Sequence, residues 1–271
     1  DLQDAVASAR EQLIEGIAST DDELIEKYLD SGELSPEEIN KGLSTAILAG
    51  TIVPVLCGSG TRNIGLQPLM DLMVNCLPSP DQRPPATARL SDGTEVDRMP
   101  SPDEPMSAQV FKTMAADIGK LTLLKVRSGI LKADSQVVNA NRSNKERVGQ
   151  VYVLTGRKRE NVDQAAPGDI VALAKLKDTT TGDTLCDDKH EVIYPMPGLP
   201  EPVISFSIRP KSKGDEEKVA TKLAEVLDED VALKLTRDQS SKEMLLSGLG
   251  QIHIETVVEK LRRMGVDVEL A

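Results

Sequence analysis

Aromatic residues, cysteine and histidine are all scarce in this sequence. It has no Trp, three Tyr and two Phe among 271 residues, so stacking of unpaired bases on aromatic rings is a poor mode of binding for it. The three cysteines, Cys57, Cys76 and Cys186, lie far apart without CxxC spacing, which favours reduced structural thiols over a disulfide framework or a metal site. His190 and His253 have no second ligand at metal-binding spacing, and we expect both to be solvated or packed.

The sequence also lacks apolar runs of membrane-spanning length and the motifs that hold nucleotide phosphates. No stretch approaches the ~20 apolar residues that cross a bilayer, so we predict no membrane partner. There is no GxxxxGK[ST] and no DxxG, and Asn40-Lys41-Gly42-Leu43 resembles the guanine-reading NKxD but lacks its Asp. Phosphoryl transfer needs these groups, so we predict that this chain is not itself an enzyme and holds no cofactor.

Charge is present but unevenly distributed. The net charge is -12, and 39 % hydrophobic with 28 % charged residues is typical of globular proteins. Residues 1–105 have 7 Lys/Arg against 19 Asp/Glu, residues 106–199 have 14 against 11, and residues 200–271 have 11 against 14. The middle part is therefore basic (14 − 11 = +3) within an acidic chain.

Residues 1–80 are mainly helical by pattern and are expected to form part of an α/β domain. Two capping boxes, Thr20 with Glu23 and Ser35 with Glu38, indicate helix starts. Residues 52–56 have the apolar character of a buried parallel strand, and residues 67–77 show a helical apolar stripe. This is half of an α/β unit, and the chain begins inside a helical pattern, so we expect a piece of a longer protein.

Two proline-rich stretches, residues 78–105 and 195–200, separate the remaining segments. Residues 78–105 contain seven prolines among Ser, Asp and Gly, which predicts an extended linker over 81–105 without regular structure. Residues 106–198 show short alternating runs divided by turn signals, typical of a small antiparallel β-barrel. Within it, residues 168–186 are predicted to form the closing hairpin, with a polar loop as a presented surface. Residues 199–271 alternate strand and helix periods in the order βαββαβ, which predicts a ferredoxin-like domain.

Six stretches resemble bacterial elongation factor G in its own order. They are TIVPVLCGSGTRNIGLQPLMDLMVNCLPSP (51–80), FKTM (111–114), KERVG (145–149), KDTTTGDTLC (177–186), EPVISFSIRPKSKGDEEK (201–218) and GLGQIHIETVVEKLRRM (248–264). The resemblance implies a multidomain α+β chain. Its parts would be the end of a GTPase domain with inserted helices (1–80), the translation-factor barrel called domain II (106–198) and the ferredoxin-like domain III (199–271).

The resemblance also implies a nucleotide loop. Ser59, Gly60 and Thr61 match the family's fifth guanine motif, in which a backbone amide contacts the base oxygen. A strand-to-helix turn that uses Ser and Gly for its geometry is the other interpretation. The full-length parent would bind GTP or GDP with Mg²⁺ and hydrolyse GTP, although the chain itself lacks the phosphate-binding motifs.

The basic side chains of the barrel are the strongest candidates for RNA binding. They form two clusters in the sequence, Arg142, Lys145 and Arg147, and Arg157, Lys158 and Arg159. A run of threonines, Thr179, Thr180 and Thr181, is a further candidate. Phosphate contact to a structured RNA is the mode that fits such residues, with a solvated charged face as the alternative. We expect the hydroxyls to position the barrel by hydrogen bonds or to hold their own turn.

The resemblance implies the ribosome as partner, in the cytoplasm. The barrel would dock on small-subunit rRNA, and the third domain would lie near the ribosomal protein of the decoding region, the GTPase core and domains IV and V. The chain departs from the family at Ser59-Gly60, at Asp230-Val231 and in the hairpin over 115–119. These departures leave open a main translocase or a divergent paralogue, and an initiation factor or ribosomal protection protein remains an alternative.

Overall fold

The computed structural model describes residues 2–156, 158–212 and 214–271, which form two compact units divided between Pro84 and Pro85. Asp1, Arg157 and Lys213 lie outside the described residues, so the predictions that include them are not assessed at these three positions. The regular elements in the described part of the first unit are helices, and the second unit contains all the named strands.

The described part of the first unit contains four α-helices: α1 Leu2–Ala18, α2 Asp22–Ser31, α3 Pro36–Ala49 and α4 Leu66–Cys76. The predicted capping box of Ser35 with Glu38 is confirmed at the start of α3. The box of Thr20 with Glu23 is wrong, because Asp21 caps α2 by accepting the Glu23 and Leu24 amides at 3.0 and 3.1 Å. The Thr20 hydroxyl instead donates to the Ile17 carbonyl at 2.7 Å and closes α1.

The predicted strand over 52–56 is also wrong. That segment is extended but pairs with no strand among the described residues, and Val53 and Val55 are 79 % and 88 % exposed. A strand is stabilised by its neighbours, and the described part of this unit offers none. The described residues therefore contain no half α/β unit, whereas the helix predicted over 67–77 is confirmed as α4.

The segment predicted to lack regular structure contains a hairpin. Strands β1 Ala86–Arg89 and β2 Glu95–Arg98 pair antiparallel, and a 3-10 turn lies at Pro80–Gln82. The prolines of the segment fall outside both strands, so the ladder loses no N–H donor. The hairpin buries Ala88 against Val192 and Tyr194, and this packing makes it part of the second unit.

The described residues of the barrel form ten strands. They are β3 Ser107–Ala116, β4 Gly119–Ser128, β5 Leu131–Lys132, β6 Gln136–Asn139, β7 Asn144–Arg147, β8 Val151–Thr155, β9 Lys158–Val162, β10 Gln164–Ala165, β11 Ile170–Ala174 and β12 Thr184–Cys186. Eight of them form one antiparallel sheet in the order β7-β6-β12-β3-β4-β11-β8-β9, and β5 pairs with β10. Inward residues such as Leu124, Leu173 and Leu185 fill its core.

The closing hairpin predicted over 168–186 is wrong in its pairing. Strand β11 pairs with β4 and β8, whereas β12 pairs with β3 and β6, so the two are not neighbours. The polar stretch between them crosses from one side of the β3–β4 pair to the other. A short break after Arg147 separates β7 from β8.

The last domain has the predicted βαββαβ order. Its elements are β13 Ile204–Pro210, α5 Glu216–Glu229, β14 Lys234–Arg237, β15 Met244–Gly248, α6 Gln251–Arg263 and β16 Val268–Leu270, with the sheet order β14-β15-β13-β16. Apolar residues of both helices, including Leu223, Ile254 and Leu261, pack on the strands. No helix in the described parts of the chain is long and apolar enough to cross a membrane.

Candidate nucleic-acid interface

The polar stretch over residues 177–183, the threonine loop, is held by Arg142. The Arg142 guanidinium donates from Nε to Asp183 Oδ2 at 2.9 Å and from Nη2 to Thr180 Oγ1 at 2.6 Å. Asp183 also accepts the Thr180 amide and the Asn139 side-chain amide, each at 2.9 Å. The carboxylate raises the pKa of Arg142. The charge of Arg142 is thus paired within the barrel and holds the loop in place.

A buried carboxylate anchors the start of the same loop. Glu146 is 2 % exposed and accepts from the backbone amides of Lys177 and Asp178 at 3.1 and 2.9 Å and from the Thr179 hydroxyl at 3.0 Å. Three donors compensate the desolvation of this charge. Because Thr179 is 0 % exposed, its side chain is unavailable to RNA and holds the loop to strands β6 and β7.

Two cations lie on the outer side of the edge strand that contains Glu146. Strand β7 is the terminal strand of the sheet, and Lys145 and Arg147 flank Glu146, so their side chains alternate to the face opposite its own. Lys145 is 3.8 Å from Asp188, with both side chains more than half exposed. Arg147 is exposed and makes no ion pair among the described residues. An exposed pair of that length stabilises by at most about 1 kcal/mol, so both charges are available to a ligand.

The second cluster is more strongly paired. Arg159 makes a two-point contact with Asp117 and thereby lowers the pKa of that carboxyl to about 2. Lys158 lies 2.5 Å from Glu160, and Arg157 is outside the described residues. The structure therefore separates the two clusters: the β7 cations face solvent with weak or no partners, whereas Arg159 connects two hairpins of the barrel.

The third threonine of the run contacts a strand of the barrel that meets the next domain. Thr181 Oγ1 accepts the Thr113 amide at 3.0 Å and lies 3.3 Å from the Thr113 hydroxyl. The Thr113 hydroxyl in turn donates to the Asp228 carbonyl in α5 at 2.5 Å. The contact between Thr113 and Asp228 was not predictable from the sequence, because it joins residues 115 apart and leaves no signal in local spacing.

The predicted guanine loop is a compact turn. Ser59 and Ile64 exchange backbone hydrogen bonds at 2.9 and 3.1 Å, and Gly65 adopts φ +73°, where a Cβ would lie 2.6 Å from the Cys57 carbonyl oxygen. The amides of Gly60 and Thr61 make no hydrogen bond among the described residues. The turn accounts for the small residues, and it leaves two donors that face solvent.

Both histidines bond to carboxylates. His253 Nδ1 accepts the Leu249 amide at 3.2 Å, so the proton lies on Nε2, which donates to Asp230 at 2.8 Å. His190 Nδ1 lies 3.1 Å from Asp187 on the surface. Cys76 and Cys186 are buried, which raises the pKa of each thiol, and Cys57 is exposed. His253 is thus packed and His190 solvated, as predicted.

Comparisons with known proteins agree with this architecture. Residues 105–188 match a model of elongation factor G domain 2, and residues 199–271 match a model of elongation factor G domain III. A crystal structure of a protein from Thermus thermophilus has 30% sequence identity and a TM-score of 0.82, over 99% of this chain and 38% of that chain. The chain therefore spans well under half of that relative. The two domain models together match more than half of the chain, and the chain belongs to the elongation factor G family.

Proposed function

We propose that this chain is the central part of a ribosome-binding translational GTPase of the elongation factor G type. That protein supports tRNA and mRNA translocation in the cytoplasm. The family assignment and the basic barrel support this proposal. The chain's own role is to dock on the ribosome and to couple domains. The GTPase activity, the GTP or GDP with Mg²⁺, and a base contact at the Ser59–Thr61 turn belong to the full-length protein.

Within that role, the barrel docks on small-subunit rRNA through strand β7. The observation that carries this assignment is the exposed position of Lys145 and Arg147 at a sheet edge, with weak or no ion pairing. Phosphates recognise such a group by charge, without any need for aromatic stacking. The third domain faces the ribosomal protein of the decoding region and the other domains of the factor.

The test is the salt dependence of binding to isolated small subunits. The double variant Lys145→Gln/Arg147→Gln should bind more weakly and should flatten the log–log salt slope by roughly 0.7–0.9 for each lost phosphate contact. The control is Arg159→Gln, which removes a cation that is paired with Asp117 and should leave the slope nearly unchanged.

Arg142 needs a separate measurement because it holds the threonine loop. Arg142→Gln should release the threonine loop and thereby lower the affinity for small subunits. It should not change the log–log salt slope, because no phosphate contact is lost. Circular dichroism should verify the fold of each variant. An unchanged slope for the β7 double variant, or an equal change in the control, would overturn the assignment to β7.

A further inference from the structure

Three bonds from the barrel converge on the last turn of α5 in the third domain. The Thr113 hydroxyl donates to the Asp228 carbonyl at 2.5 Å, and the Ala115 amide donates to Glu229 Oε1 at 2.6 Å. Lys120 Nζ lies 3.3 Å from the Asp228 carboxylate. The last four carbonyls of a helix have no partner within the helix. The barrel therefore supplies the C-terminal cap of a helix that belongs to another domain.

The hydrogen bonds at this junction have only one possible direction. The Asp228 carbonyl can only accept, so it takes the single proton of the Thr113 hydroxyl. In the 3.3 Å contact between the two hydroxyls, Thr181 must therefore be the donor. Thr181 Oγ1 also accepts the Thr113 amide at 3.0 Å. The donors thus run from Thr181 to Thr113 to Asp228, and the Thr181 proton is already committed.

Burial makes this chain of bonds sensitive to its first member. The Thr113 side chain is 0 % exposed, so water does not easily replace a lost partner. Removing the Thr181 hydroxyl leaves the Thr113 amide without an acceptor and its hydroxyl without a donor. Consecutive hydrogen bonds polarise one another, so the bond to the Asp228 carbonyl weakens as well.

We propose that Thr181, Thr113 and Asp228 form a relay, by which the state of the threonine loop alters the stability of the last turn of α5. The neighbouring Thr180 lies outside the relay, because its hydroxyl contacts Arg142 and Asp183. The relay rests only on contacts within the chain. Its use by RNA rests on the proposed function: a phosphate oxygen that takes the Thr181 proton would break the first bond.

Hydrogen exchange on the free 271-residue chain tests the relay without a ribosome. The reporter is the Asp230 amide, which donates to the Val226 carbonyl at 3.0 Å and closes the end of α5. Thr181→Val should increase its exchange rate by about two- to twelvefold, the range expected for one lost net hydrogen bond. Thr180→Val is the matched control, with the same change one residue away, and should leave that rate unchanged.

A double variant separates the relay from general loosening of the loop. Thr113→Val alone removes the cap of the Asp228 carbonyl, so adding Thr181→Val should increase exchange at Asp230 no further. Thermal unfolding should confirm that each variant is folded, and Thr181→Val keeps the test valid if Thr113→Val destabilises the barrel. Unchanged exchange at Asp230 in Thr181→Val, an equal increase in Thr180→Val, or additive effects in the double variant would overturn the proposal.

Discussion

At the scale of single residues, a distant partner decides what a charged side chain is available to do. Sequence proximity groups Arg142 with Lys145 and Arg147, but Arg142 pairs with Asp183, 41 residues away. The basic clusters were predictable from the sequence, because charge is a local property. Which of those charges is paired was not predictable, since the pairing depends on how β6, β7 and the threonine loop meet.

Gly248 shows how a residue choice follows from one close approach. A Cβ there would lie 2.8 Å from Ile254 Cδ1 and 3.1 Å from His253 Nδ1. Ile254 is 0 % exposed and both ring nitrogens of His253 are bonded, so neither neighbour moves away easily. We expect Gly248→Ala to lower the free energy of unfolding by about 1–3 kcal/mol, as overpacking does. Chemical denaturation followed by circular dichroism measures it.

The control for this substitution is Gly198→Ala. A Cβ on Gly198 meets nothing within 4 Å, and its backbone is not in the left-handed region. The same chemical change should therefore shift stability by no more than about 0.5 kcal/mol. An equal loss in both variants would show that the close approach to α6 does not account for the glycine at position 248.

At the scale of elements, local rules predicted helices and their caps better than they predicted strand pairing. The capping box of α3 and the βαββαβ order depend on nearby residues and are confirmed. The predicted hairpin over 168–186 failed because alternation identifies a strand but not its neighbour. The predicted strand over 52–56 failed because its apolar residues meet no sheet among the described residues.

The cap of α3 gives a pH dependence whose sign follows from its carboxylate. Lys27, together with the amide and hydroxyl of Ser35, lowers the pKa of Glu38 from 4.5 to about 2. A depressed pKa contributes stability that is complete above the unfolded value and is lost as pH falls towards the folded one. The helices of the first unit should therefore lose stability between about pH 4.5 and 2. Thermal unfolding measured by circular dichroism across this range tests it.

Two neighbouring substitutions isolate that carboxylate. Glu38→Gln should lower the melting temperature at pH 7, and its difference from the unmodified chain should shrink as pH falls to about 2. Glu37→Gln removes an equal charge from the same first turn but none of the contacts with Ser35 and Lys27. The melting temperature of Glu37→Gln should therefore change between pH 7 and pH 2 by nearly as much as that of the unmodified chain. A constant effect of Glu38→Gln at all pH values would contradict this account.

At the scale of the whole molecule, the order of the barrel and the ferredoxin-like domain was predictable and the junction between them was not. Period changes in the sequence predict each domain separately, and the long motifs identify the family. The bonds among Thr181, Thr113 and Asp228 join segments that are far apart in the chain. Only packing of two folded domains brings them together, so no local pattern indicates them.

The missing phosphate-binding motifs predict that the chain binds nucleotides only weakly. The turn at Ser59–Thr61 offers base-side amides, and one such hydrogen bond contributes about 0.5–1.5 kcal/mol. A dissociation constant of about 100 μM needs about 5.5 kcal/mol, which phosphate contacts normally supply. We therefore expect calorimetric titration with GDP and Mg²⁺ to give a dissociation constant weaker than about 100 μM. Guanosine, which has the base but no phosphate, should give the same result. Binding of GDP tighter than this value, together with none for guanosine, would show that the chain holds a phosphate site outside the known motifs.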